Sequence, residues 1–335
     1  MQDILVEVTR GPLTENLLRG SLVVVDAHDE VAASLGEPDY LTYMRSSAKP
    51  LQASAAVEAG VIDHYQISQE SLAVMCGSHA GEDCHVAAVQ AVLDKLGLTE
   101  EAFTLGSALS LSGRLEKQRI ADHVPPRKIY NNCSGKHCCM LAMCAYFGWD
   151  NSAYQLPDHP VQQLIRRTVA EYAHLSPEEL IIGVDGCGVP VFGMPLRNMA
   201  LSYRDLTNPE AHLEGKRAAA ASRITDAMAA YPEMIGGSGI FCTELISTTK
   251  GRLIGKVGAD GVYCCGVRGQ ELGLAVKIES GTGAALPVVM MRLLEELELL
   301  TKAEREQLSR FAIRKNFNCQ KDEVGSWRPA FRLGC

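Results

Sequence analysis

Residues 43–52 read YMRSSAKPLQ and place a serine and a lysine three positions apart, at Ser46 and Lys49. Apolar residues with helical spacing follow from Leu51, and Pro50 is tolerated in a helix only within the first turn. The pattern therefore predicts a helix that begins near Lys49, with both polar side chains on one face. In S-x-x-K enzymes, a neutral lysine takes the proton of the serine nucleophile. The alternative is a serine helix cap beside a solvated lysine.

A second lysine with a related pattern follows late in the chain. Within LIGKVGADGVY (residues 253–263), Lys256 and Gly258 form a K-x-G triad in a predicted strand, and Asp260-Gly261 predicts a tight turn after it. Enzymes with an S-x-x-K nucleophile carry such a triad on a strand that faces the serine. The order along the chain agrees, with the serine early, helices in the middle and K-x-G late. Alone, the triad could equally be a surface lysine before a glycine turn.

The secondary-structure pattern divides the chain into strand-rich ends and a helical middle. β-Branched runs near both ends predict strands, and apolar residues spaced three and four apart in the middle predict helices. We expect an α+β fold in which residues 1–50 and 236–335 form a lobe with an antiparallel sheet and flanking helices. Residues 51–235 form a mainly helical lobe. Together they make one compact catalytic unit with a site between the lobes.

The composition limits the kinds of partner. Of 335 residues, 47% are hydrophobic and 21% charged, and the net charge is −8, so no electrostatic footprint for nucleic acid or acidic lipid is present. Small molecules are the expected ligands. The start of the chain does not resemble a signal peptide, and no apolar run is long enough to span a membrane. We expect a cytoplasmic protein without an organic cofactor, and the apolar helical lobe favours a homodimer.

Twelve cysteines raise the question of a metal site, although no two have the C-x-x-C spacing. Four of them crowd into CSGKHCCMLAMC (133–144), and the glycine-rich loop GVDGCGVPVFGMP (183–195) contains another. Cys133, Lys136 and Cys187 could together hold zinc, although a lysine ligand must first lose its proton. The alternative is a set of buried structural thiols in a reducing compartment.

A polar loop, MCGSHAGEDCH (75–85), precedes another predicted helix. Its Ser78 and His79 are candidates for contact with a polar ligand. A histidine here could act as an acid–base group or be a hydrogen-bonded loop residue, and the sequence alone favours the second role.

Seven ordered segments together resemble the L-asparaginase II family. They are VEVTRG, RGSLVVVD, RSSAKPLQ, CGSHAGE, NNCSGKH, GVDGCGVP and KVGADGVY, and the similarity extends from about residue 6 to residue 281. The resemblance implies a fold like that of serine β-lactamases, penicillin-binding proteins and glutaminases. It also implies hydrolysis of L-asparagine to L-aspartate and ammonia.

Matched by position, the resemblance implies a role for each motif residue. Ser46 corresponds to the nucleophile, Lys49 to its base and Lys256 to the strand lysine. Asp185 corresponds to a residue at the amino end of the substrate, and Ser78 to a serine of the pocket.

The resemblance also implies that Cys133, Lys136 and Cys187 form a zinc site beside that pocket. Two further residues complete the expected substrate contacts. Arg45 is our candidate for the substrate carboxylate, because a buried charge needs a partner. His79 is an additional candidate contact.

Two alternative functions stay open at this point. The first is the same acyl-enzyme chemistry on glutamine or another small amide, since one methylene is worth only ~1–3 kcal/mol in a pocket. The second is a non-enzymatic zinc or thiol-binding protein, which would bind zinc tightly and release ammonia from no amide. Measuring ammonia release from a series of small amides distinguishes these two alternatives from hydrolysis of L-asparagine.

Overall fold

The computed structural model describes residues 2–333 and places strands at both ends of the chain. The strands are β1 (Asp3–Arg10), β2 (Leu13–Val25), β3 (Val31–Leu35), β4 (Leu41–Tyr43), β5 (Ile181–Val184), β6 (Pro190–Pro195), β7 (Leu253–Gly258), β8 (Val262–Val267), β9 (Leu272–Ile278), β10 (Arg314–Phe317) and β11 (Glu323–Pro329).

Helices fill most of the middle of the chain and cover the sheet. They are α1 (Lys49–Glu58), α2 (Val61–His64), α3 (Gln69–Cys76), α4 (Asp83–Leu96), α5 (Gly113–Ala121), α6 (Ser134–Phe147), α7 (Pro160–Tyr172), α8 (Leu196–Thr207), α9 (Pro209–His212), α10 (Gly215–Ala230), α11 (Glu233–Gly236), α12 (Phe241–Thr248), α13 (Leu286–Glu296), α14 (Lys302–Gln307) and α15 (Ser309–Ala312). Within residues 2–333, none of them is both long and apolar enough to cross a bilayer.

The main sheet is antiparallel and joins the two ends of the chain. Its strand order is β10-β11-β1-β2-β9-β8-β7, with β3 paired to β2. β8 is buried along its whole length, because α8 packs on one face of the sheet and α13 on the other. The predicted α+β class, with an antiparallel sheet, flanking helices and a helical region, is confirmed.

Close contact between α8 and the sheet depends on two glycines. A Cβ at Gly266 or at Gly273 would collide with backbone carbonyl oxygens of α8. Because glycine has no Cβ, the helix can lie directly on β8 and β9. This contact anchors the segment after β6 to the sheet.

The helical region packs around α1 and α6. α1 contacts α3, α6, α7 and α10, and α6 contacts α3 and α4. α6 is buried from Ser134 to Cys144, including the polar residues Ser134, Lys136 and His137, and ends at Gly148 with a left-handed φ of 69°.

A second sheet of three strands, in the order β4-β6-β5, joins β4 from the first 50 residues to β5 and β6 of the mainly helical part of the chain. The chain runs from β4 directly into the segment with Ser46 and Lys49. The loop between β5 and β6 carries Asp185 and Cys187. The boundaries of the two lobes, near residues 50 and 236, stay a proposal.

Candidate active site

The segment that carries Ser46 and Lys49 forms a helix start, as the sequence predicts. β4 leads into a 3-10 turn, Arg45–Ala48, and α1 begins at Lys49 with Pro50 in its first turn. Lys49 has a relative exposure of 1%, whereas Ser46 is partly exposed. The alternative of a solvated lysine beside a serine cap is therefore excluded.

Lys49 makes three short polar contacts with other parts of the chain. Its Nζ lies 2.7 Å from the carbonyl oxygen of Gly77, 3.0 Å from Ser78 Oγ and 3.0 Å from the carbonyl oxygen of Asn132. Within residues 2–333, no hydrogen bond joins it to Ser46, so the contact expected from the S-x-x-K spacing is made by Ser78 instead. Burial lowers the pKa of the Lys49 amine.

Ser78 lies between two buried amines. Lys256, on β7, is fully buried, and its Nζ lies 2.9 Å from Ser78 Oγ and 2.7 Å from the carbonyl oxygen of Val257. Burial, together with the charge of Lys49, lowers the pKa of Lys256 to about 7. A hydroxyl has one proton, so Ser78 can donate to one amine and accept from the other. This arrangement is satisfied when one lysine is neutral and the other charged.

A glycine before Ser78 allows this placement. A Cβ at Gly77 would collide with the carbonyl oxygen of Met234, so a larger residue would push the two backbones apart. The N–H of Ser78 donates to the carbonyl oxygen of Ile235 at 2.9 Å. The short helix α11 thus holds Ser78 against the two lysines.

Arg45 joins the β5–β6 hairpin to the turn after β7. Its φ is +52°, in the left-handed region that is uncommon for residues other than glycine. Its guanidinium pairs with Asp185 at 3.0 Å and also with Asp260. Although burial opposes ionisation of Asp185, Lys136 and Arg45 hold the pKa of its carboxyl below the ordinary value. Asp185 is therefore an anion within the site.

Cys133, Lys136 and Cys187 come together beside Asp185. Lys136 Nζ lies 3.0 Å from Cys187 Sγ and 3.7 Å from Asp185 Oδ2. A hydrogen bond between the two thiols, helped by the charges of Lys49 and Lys136, lowers the pKa of Cys133, and the same bond raises that of Cys187. The two sulfur atoms thus share one negative charge that faces Lys136.

A comparison with protein families identifies the family of this chain. The family model for L-asparaginase II matches residues 6–329. The chain belongs to the L-asparaginase II family. The match extends over nearly the whole length of the chain. No curated protein matches the chain.

Solved structures give distant similarities to this L-asparaginase II family member. Mglu in its native form is 13% identical, with 84% of this chain and 61% of the Mglu chain aligned and a TM-score of 0.40. A β-lactamase from Mycobacterium bovis is 16% identical over 88% of this chain and 95% of its own, with a TM-score of 0.41. A Bacillus glutaminase is 11% identical over 84% and 91%, with a TM-score of 0.39. The chain thus spans less than two thirds of the length of Mglu.

In this family member, the chemistry of the thiol cluster fits zinc. The exposures of Cys133, Lys136 and Cys187 are 5%, 3% and 7%, so water competes little for their ligand atoms. Two thiols and one amine are ligand types that zinc would take, and Lys136 would have to give up its proton to bind. The sulfur atoms are positioned by backbone, at the start of α6 and after β5.

Glu82, Cys84 and His85 form a second group of possible metal ligands, with ligand atoms within 4.8 Å of one another. The ligand atoms of Glu82 and His85 already serve the capping box of α4. His85 accepts a hydrogen bond from the N–H of Glu82 and contacts the carbonyl oxygen of Glu233, and Ser238 donates to the Glu82 carboxylate. We assign this group a structural role.

His79 is fully buried and uses both ring nitrogens within the protein. Nδ1 accepts from the N–H of Gly81 at 3.1 Å, so Nε2 carries the proton and donates to Ser134 Oγ at 2.8 Å. Burial lowers the pKa of His79 well below its ordinary value. The structure thus favours a hydrogen-bonded loop histidine over the expected substrate contact.

Sequence reasoning missed three groups of the site. The carbonyl oxygens of Gly77 and Asn132 contact Lys49, but a backbone group has no signature in the sequence. Asp260 was predicted only as a turn residue. It lies just after the K-x-G strand, β7, which was expected to face the serine. Its position next to that strand could have indicated its contact with Arg45.

Cavity size alone does not locate this site. A surface cavity of about 450 Å³, lined by residues such as Asn208, Asp226 and Arg268, lies away from the lysines. The void against Lys49 and Lys136 leaves no room for a water molecule. Ser46 and Arg45, in contrast, are partly exposed.

Proposed function

We propose that the protein hydrolyses L-asparagine to L-aspartate and ammonia through a covalent acyl-enzyme. The observation that carries the proposal is the pair of buried amines, Lys49 and Lys256, that both lie within 3.0 Å of Ser78 Oγ. Lys49 follows Ser46 by three positions at the start of α1. A primary amide is a poor electrophile, so its hydrolysis needs an activated hydroxyl. Buried amines with lowered pKa values supply the base near neutral pH.

Ser46 is the proposed nucleophile. Its Oγ attacks the side-chain carbonyl carbon of asparagine while its proton passes to neutral Lys49, directly or through Ser78. Lys49 then gives this proton to the leaving nitrogen, ammonia departs, and an ester remains on Ser46. Water attacks the ester and gives a proton to neutral Lys256, which returns a proton to Ser46 Oγ as aspartate leaves. Backbone N–H groups near Ser46 are the proposed oxyanion donors.

This mechanism requires Ser46 to turn toward Lys49 and Ser78 when substrate binds. Its hydroxyl makes no hydrogen bond within residues 2–333, so its rotamer is free to change, and catalytic hydrogen bonds often form only with substrate in place. Ser78 is the second candidate nucleophile, favoured by its direct contacts with both amines. In that case Lys256 is its base.

Substrate recognition follows from the charges at the site. An amino acid brings an ammonium and a carboxylate, and both need partners once water is excluded. Asp185, an anion with a side-chain exposure of 9%, suits the ammonium. Arg45 suits the carboxylate, since a guanidinium binds carboxylates through two parallel N–H groups.

We extend the proposal to a zinc ion held by Cys133, Lys136 and Cys187. When bound, zinc supplies a Lewis acid beside the pocket. Asp185 lies 3.7 Å from Lys136 Nζ and thereby connects the cluster to the ammonium end of the substrate. In this role the three side chains position substrate through Asp185, and no organic cofactor takes part.

A cytoplasmic homodimer completes the proposal. Eleven cysteines of the described chain are free thiols, which suits a reducing compartment. Leu41, Tyr43 and Ile181 on the small sheet have exposures of 54%, 38% and 46%, and this apolar surface suits a second copy. Light scattering on the purified protein gives the mass that tests the dimer.

Ammonia release from L-asparagine and L-glutamine, with and without a chelator, tests the function. We expect kcat/KM for asparagine to exceed that for glutamine by about tenfold or more, the discrimination that one methylene allows. A preference for glutamine would favour the alternative amide hydrolase with the same mechanism. No ammonia from either amide would contradict the proposal.

A further inference from the structure

We propose that Asp260 occupies the place on Arg45 that a substrate carboxylate takes, and so sets the affinity of the site for amides with a free α-carboxylate. This inference rests on the proposed function, in which Arg45 binds that carboxylate. Asp260 acts through Arg45 and is a positioning residue.

The two anions on Arg45 are held very differently. Nε and Nη2 of Arg45 both lie 3.0 Å from Asp185 Oδ1, whereas Nη1 donates to Asp260. Asp185 also accepts from the N–H of Gly186 at 2.9 Å and faces Lys136, and its side chain is 9% exposed. Asp260 is 67% exposed, and no hydrogen-bond donor other than Arg45 holds its carboxylate within residues 2–333. Asp260 is therefore the anion that can be displaced.

The backbone of the turn stays in place when this side chain leaves. Asp260 and Gly261 have φ values of +57° and +74°, typical of a tight turn between β7 and β8. A Cβ at Gly258 would lie 3.3 Å from the Cβ of Arg45, so the end of β7 packs directly against this residue. The same strand carries Lys256, which fixes the turn relative to the catalytic amines. Only a side-chain rotation is needed to free Arg45.

A second cation strengthens the competition for this position. Lys277 Nζ donates to the carbonyl oxygen of Asp260, and burial together with the charge of Arg45 lowers its pKa. An incoming carboxylate is attracted by Arg45 and Lys277 and repelled by the Asp260 carboxylate. The substrate carboxylate and the Asp260 carboxylate repel each other when both approach Nη1 of Arg45. Binding of one therefore excludes the other.

The test compares Asp260→Asn with Asp226→Asn. Asp226 is a matched control, because its side chain is 62% exposed and pairs with Arg268 at 2.8 Å, outside the active site. Kinetics are measured on L-asparagine and on L-asparagine α-amide, which lacks the carboxylate. Calorimetry with L-aspartate measures binding without any need for turnover.

An exposed ion pair is weak, so we expect Asp260→Asn to lower KM for asparagine and Kd for aspartate about 2- to 5-fold. We expect kcat for asparagine and KM for the α-amide to stay at their parental values in Asp260→Asn. The control, Asp226→Asn, should change none of these constants. An unchanged or raised KM for asparagine or Kd for aspartate in Asp260→Asn would overturn the inference. An equally large fall in KM for the α-amide would also overturn it.

The proposed function can fail separately. If the parent protein releases no ammonia from either amide, the asparaginase proposal is contradicted, while the aspartate titration still decides the role of Asp260. Absence of aspartate binding in both the parent and Asp260→Asn would overturn the inference itself.

Discussion

Lys256 Nζ lies 2.9 Å from Ser78 Oγ, although the two residues are 178 positions apart in the chain. Lys49 approaches the same hydroxyl from the start of α1, at 3.0 Å. Because the hydroxyl has one proton to donate, the contact is complete only when one of the two amines is neutral. The ionisation of these lysines should therefore control the reaction.

Hydrolysis is expected to accelerate as the pH rises through about 7. Lys256 accepts a proton only when neutral, and its neutral fraction grows above its pKa of about 7 and shrinks below it. We expect kcat for L-asparagine to fall about tenfold per pH unit below about pH 6 and to level off above about pH 8. The profile is measured at constant ionic strength. A flat profile would contradict the role of a neutral amine.

Lys256→Arg should remove both the activity and its rise with pH. An arginine stays protonated at these pH values and cannot act as the base for water in the second step, so we expect kcat to fall about 10²- to 10⁴-fold. Lys302→Arg, at an exposed position of α14, is the control and should keep the parental profile. Parental turnover by Lys256→Arg would show that this amine moves no proton.

Ser46→Ala should fold normally and lose nearly all amide hydrolysis, by about 10³-fold or more, because no acyl-enzyme can form. Mass spectrometry of a quenched reaction of the parent enzyme should place the acyl group on Ser46. Ser47→Ala is the control, since Ser47 Oγ donates to the carbonyl oxygen of Met44 at 2.6 Å. It should lose about 1 kcal/mol of stability and keep its turnover. An acyl group on Ser78 instead would reassign the nucleophile.

Zinc binding should depend on two specific thiols. Cys133→Ser and Cys187→Ser each remove a protein ligand, so zinc measured on the dialysed protein should fall to a small fraction of the parental content. Cys144→Ser, another buried thiol of α6, should keep its zinc. Parental zinc content in both Cys133→Ser and Cys187→Ser would place the metal elsewhere or nowhere.

Gly77→Ala should destabilise the protein and weaken catalysis together. The new Cβ would meet the carbonyl oxygen of Met234, and overpacking of this kind costs about 1–3 kcal/mol of unfolding free energy. The strain also moves Ser78 away from the lysines, so kcat/KM should drop. Gly106→Ala is the control, because no atom lies within 4 Å of its Cβ position. Urea titrations measure the unfolding free energy of both variants. If Gly77→Ala is as stable as Gly106→Ala, the backbone near Met234 moves without cost to make room for the new Cβ.

Much of the fold follows from local sequence. The antiparallel sheet from both chain ends and the helix that starts at Lys49 were predicted, because hydrophobic periodicity and the position of Pro50 act over a few residues. The small sheet inside the mainly helical region was not, since β5 and β6 are only four and six residues long. β6 pairs with β5 and with β4, and β4 lies far away in the chain.

By itself, the sequence determined the order of the chemical groups, from the serine–lysine pair to the thiols and the strand lysine, and the local elements that carry them. Only the tertiary structure decided that Lys49 contacts Ser78, that His79 is used by the protein itself, and that Arg45 has two anions. The physical reason is that the spacing of residues along a helix fixes only which neighbouring side chains share a face. The burial and the pKa of a side chain depend instead on the distant segments that pack against it.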